Sequence, residues 1–343
     1  MDMLTFSNLL LTKQCWKTLI DLFVSFLGNY GWAIILFTVA LKLVLLPLDI
    51  IQRRVSKKNT EMQAIVQPEI QALQKKYPND KDKINQGTMA IYKKHNYNVV
   101  GSCVVLLINL VVTLVVFFTL FQSLNYISRD KLTSQYAQLQ TVYETAVEGE
   151  KENAVLAEYE KIKDENGWLW VKNVWKSDTK TSIMLSFDEY YKQSGLKLND
   201  EEKEIAKAEY QRIEEIIYSA DANKGPNGYY VLVILAGVVT FLSQWLTTRL
   251  MKPKNADPKA QDPTKTTNLT MLIVMPIVMV IFAWTSTSIF SLYLITNSLM
   301  TCLTGLLTNL IFKNKNTPNG TSKQPKKAKV QVVEYSRNYF KGE

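Results

Sequence analysis

The side chain with the largest chemical consequence is Lys42, a lone charge inside an apolar run. From Gly31 to Leu48 the chain reads GWAIILFTVALKLVLLPL, eighteen residues in which Lys42 is the only ionisable group. As a helix that run spans about 27 Å, close to the roughly 30 Å of a bilayer's hydrocarbon core. Lys42 then lies about 4 Å from the bilayer centre and about 11 Å from the nearer headgroups. An extended lysine reaches only roughly 6 Å, so snorkelling alone is a poor account. A charge at that depth costs several kcal/mol unless water or a partner group meets it. A short, tilted or displaced helix would relieve the cost. A hydrated cavity would relieve it and also give the charge a task.

Four uncharged polar residues fall in other apolar runs: Asn109, Gln244, Thr296 and Asn297. Amides at membrane depth want a partner helix or water, so these could line one polar cavity with Lys42. Each is also an ordinary candidate for a hydrogen bond between helices, and Gln244 suits that role best. The single His95 has no Cys or carboxylate cluster around it in sequence, which argues against a metal ligand or catalytic base. Cys15, Cys103 and Cys302 lack metal-like spacing, and two lie in apolar runs, so buried free thiols are expected rather than disulfides. No phosphate-cradling glycine loop and no nucleophile–base pair is present. No enzyme activity, cofactor or metal is expected.

The elements that must position Lys42 follow from charge segregation. The net charge is +9, but basic and acidic residues occupy different segments. Residues 51–98 carry ten Lys/Arg against four Asp/Glu, and 313–343 carry eight against two, whereas 127–227 carry fourteen against twenty. Arg53, Arg54, Lys57 and Lys58 follow the first apolar run at once, which by the positive-inside rule makes that side cytoplasmic and the N-terminus external. The pattern predicts an all-α polytopic membrane protein with five spans. Residues 1–29 form an amphipathic interfacial helix, with Trp16, Leu19, Ile20 and Phe23 on its apolar side. The spans are 30–51, 99–126, 229–248, 268–285 and 287–312. The last two are divided because 47 uncharged residues, Thr266 to Phe312, would make one helix of about 70 Å, with Thr285–Ser288 as the natural turn. Pro276 is expected to kink the fourth span. Residues 249–267 form a cytoplasmic loop and 313–343 a basic cytoplasmic tail.

Between the first two spans, residues 52–98 read as a cytoplasmic helical hairpin. Val55, Met62, Val66, Ile70, Leu73 and Tyr77 recur at helical spacing, Pro68 is expected to kink the helix, and Tyr77-Pro78-Asn79-Asp80 is a turn. Ile84, Thr88 and Ile91 continue on a second helix. A solvated spacer would need neither two amphipathic faces nor a tight turn. Residues 127–228 form a mainly helical extracellular segment. Its Trp168, Trp170 and Trp175 suit the membrane–water interface or a small core above it.

The order of these parts resembles the YidC/Oxa/Alb family of membrane protein insertases, from about Ile20 to Ile311. The matching motifs are Gly31-Trp32, Lys42 and Leu46-Pro47 in the first span. In the hairpin they are Gln67-Pro68-Glu69, Lys76-Tyr77 and Tyr92-Lys93-Lys94-His95. Trp168–Trp175, Met275-Pro276 and Leu292-Tyr293 to Thr296-Asn297 complete the set. Where the family usually has arginine this chain has Lys42, keeping the charge but losing the planar fork. The second span has Asn109 where a glutamine is usual, and Val105 and Val111 replace two usual prolines.

The resemblance implies an insertase and chaperone for nascent membrane proteins, with a hydrophilic groove open to the cytoplasm and lipid. Lys42 would be the groove charge, with Asn109, Thr296, Asn297 and Gln244 as its polar lining. The hairpin, with Pro68, Glu69 and Tyr77, would receive the incoming chain. Partners would be nascent chains and the lipid bilayer, with the ribosome reached through the basic tail and a Sec translocon as further candidates. Anionic lipid, or simple topogenic charge, explains the tail nearly as well. A different class of function remains open: a small-solute transporter or channel with Lys42 as the substrate or anion site. Such proteins usually carry repeats or paired broken helices, and only Pro276 hints at one.

Overall fold

Long uninterrupted helices dominate the computed structural model, which describes residues 13–179, 182–251 and 264–315. In chain order these are α1 (Lys13–Leu27), α2 (Tyr30–Lys76), α3 (Lys81–Lys94), α4 (Val99–Thr145), α5 (Lys151–Asn166), α6 (Phe187–Ser194), α7 (Asp200–Ser219), α8 (Val231–Met251), α9 (Thr264–Thr285) and α10 (Ser288–Lys315). Among the described residues, four helices are long and apolar enough to cross a membrane: α2, α4, α8 and α10. In α9 the apolar stretch Leu272–Thr285 is shorter. The fold is all-α, and its exposed faces are apolar where a water-soluble helix would be polar. On α4, Val104, Leu107, Ile108, Val111 and Phe118 are all exposed, as lipid-facing side chains must be.

The helices run through several boundaries expected from sequence. α2 and α4 are each 47 residues long. The first span therefore continues without a break into the first arm of the hairpin, and the second span into the following segment. Pro47 and Pro68 lie inside α2, and Pro276 inside α9, without ending either helix. The cysteines are free, but Cys15 and Cys103 are exposed rather than buried. An apolar helix face need not point into protein when lipid can cover it. The loop at 252–263 and the tail beyond Lys315 lie outside the described residues.

The chain divides into two compact units. The first is drawn from residues up to 44, 113–244 and 270–301, and it holds the main core. α1 joins it through Trp16 and Ile20, both buried, with Trp16 edge-on to Phe37 at 5.8 Å. Lys17 of α1 also pairs with Asp130 of α4 at 2.6 Å. Leu22 and Phe26, on the other side of α1, stay exposed. Phe117 and Phe121 of α4 meet Phe282 of α9 and Phe290 of α10 in edge-to-face contacts of 5.0–5.6 Å. Such geometry adds roughly 0.5–1.5 kcal/mol per pair beyond burial. A second focus of the same core lies where Tyr136 of α4 stacks on Tyr210 of α7 at 4.3 Å and meets Tyr190 of α6 at 4.4 Å. Asn199 and Ser186 start α7 and α6 with capping boxes.

The second unit includes residues 45–112, 245–251 and 302–315. It contains the hairpin. Val66 and Ile70 are its buried anchors on α2, while α3 buries no residue completely. The turn is closed by Asp80, whose carboxylate accepts the Lys83 N–H at 3.0 Å as the cap of α3.

Candidate functional site

In the first unit, Lys42 is half-buried on α2, Thr296 is buried on α10, and Asn297 and Gln244 are half-buried. α8 and α10 share a polar contact within about one helical turn of Gln244, Thr296 and Asn297, Thr240 Oγ1 to Ser298 Oγ at 3.1 Å. Thr301 Oγ1 donates to the Asn297 carbonyl at 2.8 Å, so that hydroxyl is satisfied within its own helix. α10 thus carries a polar stripe on a helix long and apolar enough to cross a membrane. Half of its apolar window is buried, against 6% for α4. Asn109 is half-buried on the part of α4 that belongs to the second unit.

The hairpin residues are brought together more tightly than their spacing suggests. Glu69 of α2 receives the Lys94 ammonium at 3.0 Å, and its Oε1 lies 2.9 Å from His95 Nε2. The Gln-Pro-Glu and Tyr-Lys-Lys-His motifs are therefore two halves of one latch between the hairpin arms. Burial raises the Glu69 carboxyl, but the hydrogen bonds from His95 and Lys94 outweigh it, and the net shift is downward. Pro68 is exposed. Tyr77 packs under two cations, Lys76 at 5.3 Å and Lys83 at 5.8 Å from its ring centroid.

Arg53, in sequence a topogenic charge, is only 8% exposed. Its Nη2 donates to Thr304 Oγ1 of α10 at 3.4 Å, and a Cβ on Gly305 would come within 3.1 Å of Nη1. A glycine in a helix otherwise rich in Leu and Thr is the one sequence signal of that close approach.

The segment 166–179 does more than its tryptophans suggest in sequence. It ties together the ends of several helices in the first unit. Asn227 Nδ2 donates to the carbonyls of Asn173, Lys176 and Ser177 at 2.8–3.3 Å, and its Oδ1 accepts the Asn173 N–H at 2.8 Å. Ser128 of α4 donates to the Trp175 carbonyl at 2.6 Å. The Trp175 indole donates to Asn166 of α5 at 2.8 Å. Ser288 and Ile289, which open α10, donate their N–H groups to the carbonyls of Lys176 and Val174, both at 2.8 Å. Asp178 Oδ2 accepts the Leu232 N–H of α8 at 2.8 Å. Burial holds the Asp178 carboxyl above the usual range, the N–H groups of Leu232 and Val233 offsetting only part of it. The Thr285–Ser288 turn lies where the sequence puts it, but Ser286, Thr287 and Ser288 are buried.

Residues 22–316 match the family described as 60Kd inner membrane protein. Three proteins named membrane protein insertase YidC align with parts of the chain. That of Clostridium tetani is 46% identical over 80 residues, 23% of this chain and 34% of the relative. That of Fusobacterium nucleatum is 34% identical over 107 residues, 31% of this chain and 50% of the relative. That of Nitratidesulfovibrio vulgaris is 37% identical over 107 residues, 31% of this chain and 18% of the relative. The alignments thus span no more than half the length of these relatives. With a family match over most of its length, and with long lipid-compatible helices, the chain belongs to the 60Kd inner membrane protein family, the YidC/Oxa/Alb family, and is a multi-pass membrane protein of the bacterial inner membrane.

Proposed function

We propose that this chain is a membrane protein insertase and chaperone, moving nascent membrane proteins from the cytoplasm into the bilayer. The observation that carries the reading is Lys42, half-buried within the apolar part of α2 in the unit that also holds the polar stripe of α10. A charge there is costly unless hydrated, and a hydrated groove is what a polar or acidic segment of a client needs to enter the membrane. Lys42 attracts the acidic residues, Thr296, Asn297 and Gln244 keep the path wet, and the client's apolar span partitions into lipid. Burial of roughly twenty apolar residues supplies the driving force, and the membrane potential adds about 2.3 kcal/mol per charge per 100 mV for acidic tails.

The hairpin is the receiving element. Its second arm buries no side chain fully, which favours local opening. Orientation follows the basic residues after the first span, with the hairpin cytoplasmic and the N-terminus external. The 166–179 segment then closes the external ends of the helices. Five spans, with α9 as the fourth, complete the arrangement. The basic tail is assigned to ribosome or anionic-lipid contact, and cooperation with a Sec translocon is not a requirement of the chemistry.

The decisive experiment uses proteoliposomes that contain this protein alone. A single-span client with an acidic N-terminus is offered, and its insertion is followed by protease protection. Membrane-protected client is the expected result. Passage of small anions without client insertion would overturn the proposal in favour of a transporter.

A further inference from the structure

Residues 168–171 form a tight two-residue turn. Trp168 and Val171 exchange both backbone N–H···O bonds at 2.8 Å, which leaves Leu169 and Trp170 at the tip. Leu169 sits in the left-handed region at φ 48°, a conformation that resists side chains beyond Gly, Asn and Asp. Turns of this kind in water take those small or polar residues. Here the tip presents leucine and tryptophan instead, 66% and 36% exposed. In aqueous surroundings that choice combines backbone strain with apolar exposure and gains nothing.

The height of the turn is set by its neighbours. A Cβ on Gly31 would fall 2.3 Å from Trp168 Cδ1, so the Trp168 side chain lies directly on the first turn of α2. The Trp168 ring meets Trp32 at 5.5 Å on one side and Trp170 at 5.5 Å on the other. Trp32, 48% exposed, stands at the start of the apolar window of α2. Exposed rings also mark the matching ends of α8 and α9, where Tyr230 and Trp284 lie 5.5 Å apart. Aromatic rings at span ends are the signature of the membrane–water interface. Trp175, by contrast, is completely buried. The tryptophan-rich stretch thus divides into a core anchor and a tip at interface level.

We propose that the Leu169–Trp170 turn inserts into the headgroup–acyl boundary of the leaflet bordering residues 127–228. It is a lipid-seated finger that holds that segment down on the membrane surface. The ligand is bilayer lipid, recognised through apolar area and not through a headgroup charge. The inference rests on α2 and α4 crossing the membrane, but not on insertase activity.

The test places a nitroxide at Leu169→Cys or Trp170→Cys in full-length protein whose three native cysteines are serine. The protein is reconstituted in vesicles of phosphatidylethanolamine and phosphatidylglycerol. Power saturation then compares collisions with oxygen, which concentrates in lipid, and with a water-soluble nickel chelate. Lys161→Cys on α5 is the aqueous reference, its native side chain being 75% exposed. Phe118→Cys on α4 is the lipid reference. At either tip position, an oxygen-to-nickel ratio several-fold above that of Lys161→Cys is expected. Nickel access equal to the aqueous reference at both positions, with Phe118→Cys still protected, would overturn the finger alone. Nickel access at Phe118→Cys as well would overturn the membrane assignment of α4, and the finger with it.

Discussion

The Glu69 carboxylate and the His95 imidazole meet across the helical hairpin, Oε1 to Nε2 at 2.9 Å. With Lys94 on the same carboxylate, this is the polar tie between α2 and an α3 that buries nothing completely. Glu69→Gln is expected to loosen the hairpin by about 0.5–1 kcal/mol, since the partners are partly exposed. Hydrogen exchange of the 84–94 amides should rise while the α4 amides are unchanged. The Glu69 pKa is depressed in the folded hairpin. Its contribution is therefore present above the unfolded carboxylate value and is lost as pH falls through the lower folded value. Wild-type exchange should accelerate in that acid range, and Glu69→Gln should remove the acceleration.

Lys42 is expected to act as a point charge. Lys42→Glu should reduce insertion of clients with acidic N-termini by roughly tenfold or more, about 1.4 kcal/mol in affinity terms. Lys42→Arg, which keeps the charge and adds the planar fork, should insert them normally. Initial rates in the proteoliposome assay measure both. Undiminished insertion by Lys42→Glu would remove the groove charge from the mechanism.

Asp178 should show the opposite pH behaviour to Glu69. Burial raises its carboxyl, so its contribution is full below the unfolded pKa and declines as pH rises through the raised folded value. Asp178→Asn keeps an oxygen for the Leu232 N–H and never ionises. Its thermal midpoint in detergent is expected to equal or exceed wild type at neutral pH. The decline of that midpoint with rising pH should also flatten. A loss of stability at neutral pH would show that the ionised form is favoured.

What was legible in the sequence was local. The apolar runs, the Tyr77–Asp80 turn, the Thr285–Ser288 turn and the stripe through Val66 and Ile70 all depend on neighbours within a few residues, and hydropathy and helical period capture those. Helix boundaries were less so. A polar stretch such as 52–76 can stay helical without a break, because charged residues and even Pro68 on an exposed face do not end a helix that packing continues. The ties at 166–179 had no local signal. Asn227 lies 54 residues from Asn173, and Ser288 lies 112 from Lys176, so their purpose emerges only with the fold. The same holds for His95, which in sequence lacks a carboxylate neighbour and in space has Glu69. Of the groove residues, Lys42 stood out because a charge in lipid is improbable. Thr296 and Asn297 stood out only as a polar pair in an apolar run.

Asn227 is expected to be the most sensitive position in the 127–228 segment. Its amide serves four backbone groups at once, and it is fully buried. Asn227→Ala leaves the Asn173 N–H and the Ser177 carbonyl without partners, at about 1–3 kcal/mol for each that water cannot reach, whereas the Asn173 and Lys176 carbonyls keep the N–H groups of Lys176 and Ser288. A net loss of about 3–4 kcal/mol is expected, at the upper end for single substitutions. Melting followed by near-ultraviolet dichroism, which reports the buried Trp175, should show it.

Gly31 and Trp168 form a pair in which one residue's absence of a side chain makes room for the other. The three atoms nearest to a Cβ at Gly31 all belong to the Trp168 side chain, at 2.3–2.6 Å. Gly31→Ala must therefore displace the indole, a repacking worth about 1–3 kcal/mol. Trp168→Ala alone loses the contacts with Trp32 and Trp170. In the double variant the added methyl occupies space the indole has vacated. Its destabilisation should be smaller than the sum of the two single changes, with a coupling of about 0.5–3 kcal/mol. Thermal unfolding of the four proteins in one detergent closes the cycle. Additivity would mean that Gly31 is conformationally free of Trp168 and that the 168–171 turn is positioned by something other than the first turn of α2.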